Sequence, residues 1–86
     1  MNTDKQKILN LLADICDEMA RAMEQHGDFT NFHEAYAVIL EELDEVWDHV
    51  KTKHPNPDAM RKELIQTAAM CLKTILCLID KENNEF

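Results

Sequence analysis

The chain has 86 residues, of which 45% are hydrophobic and 30% charged, and its formal net charge is −8. These values describe one small domain, residues 1–86, and the acidic balance argues against a nucleic-acid backbone or an anionic membrane surface as the main partner, because both need a basic patch. One glycine, two prolines and apolar residues that recur with a helical period predict an all-α chain.

The cysteines and the chain ends indicate the compartment. Cys16, Cys71 and Cys77 have spacings that fit neither a disulfide framework nor a zinc site, so a reducing cytoplasm is expected. The N-terminal residues lack the apolar core of a signal peptide, and Lys73 and Asp80 interrupt the apolar run near the C-terminus. We therefore expect neither export nor a membrane span.

The first predicted helix begins with Thr3 as its N-cap and Gln6 three residues later as the partner in a capping box. It ends at Gly27, because a glycine just past the last apolar position supplies the left-handed conformation that closes many helices. The linker that follows carries Phe29 and Phe32, which are expected in the core or at a pocket mouth. The apolar stripe of this helix comprises Ile8, Leu11, Leu12, Ile15, Cys16, Met19, Ala22 and Met23.

The second predicted helix opens with Asn31 as its N-cap and Glu34 as the capping-box partner, and it runs to about Lys51 or Thr52. Its apolar stripe, including Trp47, is expected to face the core. That stripe consists of Tyr36, Ile39, Leu40, Leu43, Val46, Trp47 and Val50. Its flanks carry carboxylates three and four residues apart, which repel one another by roughly a few tenths of a kcal/mol per exposed pair.

The third predicted helix follows a break at residues 53–57, where Pro57 suits the first helical turn and Asn56 its cap. It runs to about Lys81, and its second half is apolar nearly all round, which is typical of a helix buried on both sides. Three helices cannot bury it alone. We therefore predict an antiparallel bundle of about three helices per chain that is completed by homo-oligomerisation. The main stripe is Met60, Leu64, Ile65, Ala68, Cys71, Leu72, Ile75, Leu76 and Ile79.

Carboxylates on two of these helices form a candidate cation site. Glu42 and Glu45 lie on one flank of the second helix, and Glu63 lies early in the third, after a turn that would bring the two helices side by side. Carboxylate oxygens are the ligands that Mg²⁺ prefers. A solvated outer face is the expected role of the carboxylates that point away from the stripe or toward its far margin, which are Glu41, Asp44 and Asp48.

The acidic motif reads Glu41-Glu42-Leu43-Asp44-Glu45, a spacer, then Glu63-Leu64-Ile65-Gln66. It resembles the MazG-like members of the all-α nucleoside triphosphate pyrophosphohydrolases, whose motif is Glu-Glu-x-x-Glu, a variable spacer, then Glu-x-x-Asp. The flanking runs 33–40 and 60–70 resemble small phage and mobile-element members, and the similarity covers about residues 8–78. The resemblance implies a homodimer or homotetramer that cleaves a nucleoside triphosphate to the monophosphate and pyrophosphate with Mg²⁺, or with Mn²⁺ as a substitute.

The resemblance also implies roles for individual residues. Glu42, Glu45 and Glu63 match the metal ligands, and Gln66 stands where the family has Asp, so its neutral amide would bind Mg²⁺ more weakly. The base that takes the proton of the attacking water would be Glu41 or Glu45. The candidate substrate contacts are Lys53, Arg61, Lys62, Lys73 and His33.

Two other classes of protein remain alternatives. The first is a non-catalytic module, either a nucleotide binder or a structural partner protein, and Gln66 in place of a carboxylate favours it. The second is an oligomeric scaffold whose acidic face keeps it in solution.

Overall fold

The computed structural model describes residues 2–80, and all of its regular structure is helical. Three α-helices follow one another along the chain: α1 (Asn2–His26), α2 (Phe32–Val50) and α3 (Pro57–Ile75). A π-helical segment, α4 (Leu76–Asp80), continues directly from α3. The predicted all-α class is therefore confirmed for this part of the chain, and the predicted end of the third helix at Lys81 lies outside the described residues.

The two ends of α1 differ in how well the sequence predicted them. Gly27 has a φ of 74°, and its backbone N–H donates to a carbonyl one turn earlier at 2.9 Å, so this helix ends as predicted. The predicted start is wrong, because the helix already includes Asn2 and Thr3 lies inside it. Gln6 does not close a capping box and instead donates from Nε2 to Asn10 Oδ1 at 2.9 Å.

Side-chain caps define the starts of α2 and α3. Asn31 Oδ1 accepts a hydrogen bond from the backbone N–H of Glu34 at 2.8 Å, as predicted. The Glu34 carboxylate accepts from the backbone N–H of Thr30 at 2.7 Å instead of turning back to Asn31, so only half of the capping box forms. Asn56 Oδ1 accepts from two backbone N–H groups of the first turn of α3, and Pro57 occupies that turn. These caps position the two helices that carry the acidic motif.

α3 is the central helix, because it packs against both α1 and α2. The core that forms around it is small, and most of its buried side chains are short. Its buried residues are Ala22, Phe29, Ala35, Ala69 and Met70. The molecule measures 45 × 34 × 19 Å, and its shortest dimension is only about two helix diameters. α1 and α2, which each pack mainly against α3, can therefore bury only one side within a single chain.

The predicted apolar stripes of α2 and α3 do not coincide with this core. Trp47, predicted to be a core residue, is 57% exposed, and the core-facing side of α3 carries Ala69, Met70 and Lys73. The prediction is wrong for the single chain because only one edge of the α2 stripe, at Val46, is buried, and α3 turns the side roughly opposite its predicted stripe toward the core. The stripe residues left exposed are Tyr36, Leu40, Leu43, Trp47 and Val50 on α2, Leu64, Cys71, Leu72 and Ile75 on α3, and Ile79 on α4.

Two further expectations concern the bilayer and the thiols. Within residues 2–80, the structure has no helix that combines the length and the apolar character required to cross a bilayer. The three cysteines are all free thiols, and two of them, Cys16 and Cys71, are exposed.

Candidate metal and phosphate site

Three carboxylates meet where α2 packs against α3. Glu42 and Glu45 lie one turn apart on α2, and Glu63 lies in the second turn of α3. One carboxylate oxygen from each of the three side chains lies within 4.8 Å of the other two. We call these three residues the carboxylate cluster. The structure thus brings together three of the four side chains that the sequence predicted as metal ligands.

The surroundings of the carboxylate cluster disfavour its ionised form. Burial raises the pKa of Glu42, and the negative charges of Glu45, Glu41 and Glu18 raise it further. The pKa of Glu45 is raised first by its side-chain hydrogen bond with Glu63, and then by burial and by the negative charge of Glu63. Both shifts have the direction expected for carboxylates that lose water and share a site with like charges. A bound cation would relieve both effects.

Two oxygens of the carboxylate cluster are buried polar atoms. Glu42 Oε2 and Glu63 Oε2 are buried, and neither is hydrogen-bonded within the part of the chain that the structure describes. A buried polar atom in this state costs about 1–3 kcal/mol, and more when it is charged. Mg²⁺ takes oxygen ligands and commonly shares its coordination sphere between carboxylates, waters and phosphates. The residues present therefore fit a hard divalent cation.

A cavity of about 340 Å³ lies beside the carboxylate cluster and shares Glu42 with it. This volume is within the range of sites that bind small molecules. All three α-helices contribute to the wall of the cavity, and so does the α1–α2 linker. The wall includes Glu18, Arg21 and His26 from α1, Phe29 from the linker, Glu34, Glu41 and Glu42 from α2, and Gln66, Met70 and Lys73 from α3.

Lys73 places a buried ammonium group at this cavity. The residue is only 3% exposed, and its Nζ lies 4.1 Å from the centroid of the Phe29 ring. None of the ion pairs formed among residues 2–80 includes Lys73. Lysine is rarely this buried without a charged partner, and a cation–π contact replaces only part of the lost hydration. The ammonium group is therefore suited to receive an anionic oxygen from a ligand in the cavity.

Arg21 is a second cation at the cavity, and the sequence did not predict it. Its Nε donates to Glu18 Oε1 at 3.1 Å, a second guanidinium nitrogen pairs with Glu18 Oε2, and a third donates to Gln25 Oε1 at 2.8 Å. Both partners lie on α1, so they hold the guanidinium in one orientation at the cavity wall. No motif surrounds Arg21, and only the packing of α1 on α3 brings it near the acidic residues.

The other predicted substrate contacts lie away from the cavity. Arg61 donates to Asp14 Oδ2 at 2.7 Å and lies at a groove between α1 and α3. Lys62 and His33 are exposed, as is Lys53, and none of them lines the cavity. Arg61 and Lys62 precede Glu63 by two and one positions, which turns them roughly 200° and 100° away from it around α3. Among the cations predicted to contact phosphate, only Lys73 belongs to the cavity wall.

Two more predicted residues lie at the cavity wall. Gln66 is partly buried one turn after Glu63, and Glu41 is exposed one position before Glu42.

Comparisons of this chain with protein-family models, with curated proteins and with solved structures found no match.

Proposed function

We propose that this protein is a Mg²⁺-dependent nucleoside triphosphate pyrophosphohydrolase that releases a nucleoside monophosphate and pyrophosphate. One observation carries the proposal: the carboxylate cluster, with two buried oxygens that none of the described residues hydrogen-bonds, adjoins a cavity that holds the buried ammonium of Lys73. Carboxylates repel phosphates unless a divalent cation lies between them, whereas an ammonium group attracts phosphates directly. The combination fits a ligand made of a divalent cation and a polyphosphate, and the resemblance of the acidic motif to MazG-like enzymes supports the same activity.

In this proposal, Glu42, Glu45 and Glu63 hold Mg²⁺, or Mn²⁺ as a substitute, and the amide oxygen of Gln66 is a weaker fourth ligand. When bound, the ion would neutralise charge on the phosphate oxygens and would lower the pKa of the attacking water. The raised pKa values of Glu42 and Glu45 favour this role, because a cation offsets the repulsion that raises them.

The side chains of the cavity bind the polyphosphate and move the proton. Lys73 donates to a phosphate oxygen, and Arg21 places a second positive charge at the same wall. Hydrolysis forms a bond from the water oxygen to phosphorus and breaks the bond from that phosphorus to the bridging oxygen, while a carboxylate takes the proton of the water. Glu41 lines the cavity and lies outside the carboxylate cluster, so it is free for this step, and Glu45 is the other candidate base.

We propose that the helices form an antiparallel bundle and that copies of the chain associate as a homodimer or homotetramer. The many exposed large apolar side chains support association, because a single chain leaves them in water. The three free cysteines support a reducing compartment, the cytoplasm.

A panel of nucleoside triphosphates, assayed for pyrophosphate release with Mg²⁺ or Mn²⁺, tests the activity. We expect release from at least one member of the panel, and we expect each metal to raise the melting temperature, more so with a non-hydrolysable triphosphate. Stabilisation without release from any substrate would favour the non-catalytic nucleotide binder. The absence of any melting shift would contradict the metal site and favour an acidic scaffold.

Substitution of Gln66 tests whether the amide belongs to the metal site. We expect Gln66→Asp to tighten Mg²⁺ binding by roughly 10-fold, because a carboxylate adds a charge that an amide lacks. Titration calorimetry with Mg²⁺ measures the change. Gln6→Asp is a matched control, because it makes the same substitution at an exposed residue of α1 that is not part of the cavity wall. Equal or weaker Mg²⁺ affinity in Gln66→Asp would show that residue 66 lies outside the coordination sphere.

A further inference from the structure

α2 exposes a regular apolar seam on the side away from the core. The seam consists of Tyr36, Leu40, Leu43, Trp47 and Val50, and every member is exposed in the single chain, from 41% at Leu40 to 66% at Tyr36. The residues of α2 that are buried in the single chain are Ala35 and Val46, and neither belongs to the seam. An exposed apolar surface of this regularity is typical of an interaction site.

The spacing of the seam indicates the kind of partner that fits it. The five residues follow one another at intervals of four, three, four and three, which is the 3.5-residue repeat of the a and d positions in a coiled coil. Such a seam is complementary to a second helix with the same repeat, and α2 of another copy provides one. We propose that a second copy of this chain packs on the α2 seam, so that the two α2 helices pair about a two-fold axis.

Charge and area both favour a second copy as the partner. The seam itself contains no charged side chain, so two chains with a net charge of −8 can pair along it without burying a carboxylate in the apolar strip. Large apolar side chains that are half exposed leave on the order of 80–100 Å² each, so the seam offers on the order of 400 Å² of apolar area. Because about 60% of a typical interface is apolar, this corresponds to roughly 700 Å² per partner, close to the about 800 Å² of a standard stable interface.

The proposed pairing leaves the carboxylate cluster open. At about 100° per residue, the centre of the seam lies roughly 120° around α2 from Glu42 and roughly 180° from Glu45. A second copy would therefore cover one side of α2 while the other side keeps its packing against α3. This inference rests on the proposed homo-oligomer and is independent of the proposed hydrolysis, so its test needs neither metal nor nucleotide.

Sedimentation of the full chain and the emission of Trp47, its one tryptophan, test the seam. We expect the wild type to sediment at twice the 10.0 kDa chain mass, or as a larger closed assembly, with Trp47 emission that is blue-shifted and protected from acrylamide. Leu43→Asp should weaken association at least about 100-fold, halve the assembled mass and expose Trp47 to the quencher. Leu9→Asp is the matched control, because Leu9 is a leucine of α1 that is 49% exposed, against 50% for Leu43, and it should keep the wild-type mass.

Three results would overturn the proposal. The first is a wild-type chain that stays monomeric at submillimolar concentration with a water-exposed tryptophan. The second is a Leu43→Asp variant that keeps the wild-type mass, and the third is dissociation by Leu9→Asp to the same degree. Circular dichroism verifies the helical content of each variant. If Leu43→Asp does not fold, dilution of the wild type tests the pairing instead. Acrylamide quenching of Trp47 must then increase as the assembly dissociates.

Discussion

Replacing Glu45 or Glu63 by Gln is expected to lower Mg²⁺-dependent pyrophosphate release by at least about 100-fold, without destabilising the metal-free protein. The loss of activity follows because each variant removes one charged oxygen ligand from a group of three within 4.8 Å. The preserved stability follows because each variant also removes a negative charge from a site where carboxylates repel one another. Initial rates with Mg²⁺ and melting temperatures in EDTA measure the two effects separately.

The control for these variants is Asp44→Asn, which makes the same change of charge on α2. Asp44 is exposed and lies outside the carboxylate cluster, so the variant should keep the wild-type rate to within about a factor of two. A Glu45→Gln variant with the wild-type rate would contradict the metal site. So would a fall in its metal-free melting temperature of several degrees, since the carboxylate would then be a structural hydrogen-bonding group.

Glu42 and Glu45 contribute to the pH dependence of the metal-free stability. The folded-state pKa values of Glu42 and Glu45 are raised, so folding favours their protonated forms. Their contribution to stability is fully present below the unfolded-state pKa and is lost as the pH rises through the raised folded-state pKa. The melting temperature in EDTA should therefore fall across that window. The fall should be smaller in Glu45→Gln and in wild type saturated with Mg²⁺.

Lys73→Met is expected to raise KM for the triphosphate and to lower kcat/KM by roughly 10- to 100-fold, the equivalent of one charge-assisted hydrogen bond. The melting temperature should stay the same or rise. Methionine is close to lysine in length, suits the contact with Phe29, and needs no charged partner in a buried position. Steady-state kinetics, together with calorimetric titration of inorganic tripolyphosphate, measure the loss of anion binding.

Lys62→Met is the matched control for Lys73→Met. Both residues are lysines of α3, but Lys62 is exposed and does not line the cavity. We expect its substitution to change kcat/KM less than about twofold. If Lys62→Met weakened tripolyphosphate binding as much as Lys73→Met, the anion would be bound at the outer surface. If neither variant affected binding, the buried ammonium of Lys73 would not contact the polyphosphate.

Most helix boundaries were predictable because local interactions define them. Asn31, Asn56, Pro57 and Gly27 act through the backbone within one turn of their own positions, and all four play the roles predicted from the sequence. The start of α1 was not predictable in this way. Thr3 resembled a cap, but the helix extends past it to Asn2.

The carboxylate cluster was predicted only in part by spacing. The interval from Glu42 to Glu45 places both on one side of α2 by helical geometry alone, whereas the approach of Glu63 depends on how α3 packs against α2. Among the cations predicted to contact phosphate, nearness in sequence to Glu63 selected Arg61 and Lys62, which helical phase turns away from the cavity wall. The position of Arg21 at the cavity wall depends on contacts between residues far apart in the chain, so local spacing did not predict it.

By itself, the sequence determined the helices, most of their ends and the pairing of Glu42 with Glu45, because these depend on interactions within one or two helical turns. Only the tertiary structure decided which side of each helix became the core. The apolar arc of α2 includes both Val46, which is buried, and Trp47, which is exposed, and a helical wheel cannot tell which of them faces a neighbour. That choice depends on where α3 lies, and it left Lys73 buried beside the cavity and the α2 seam exposed.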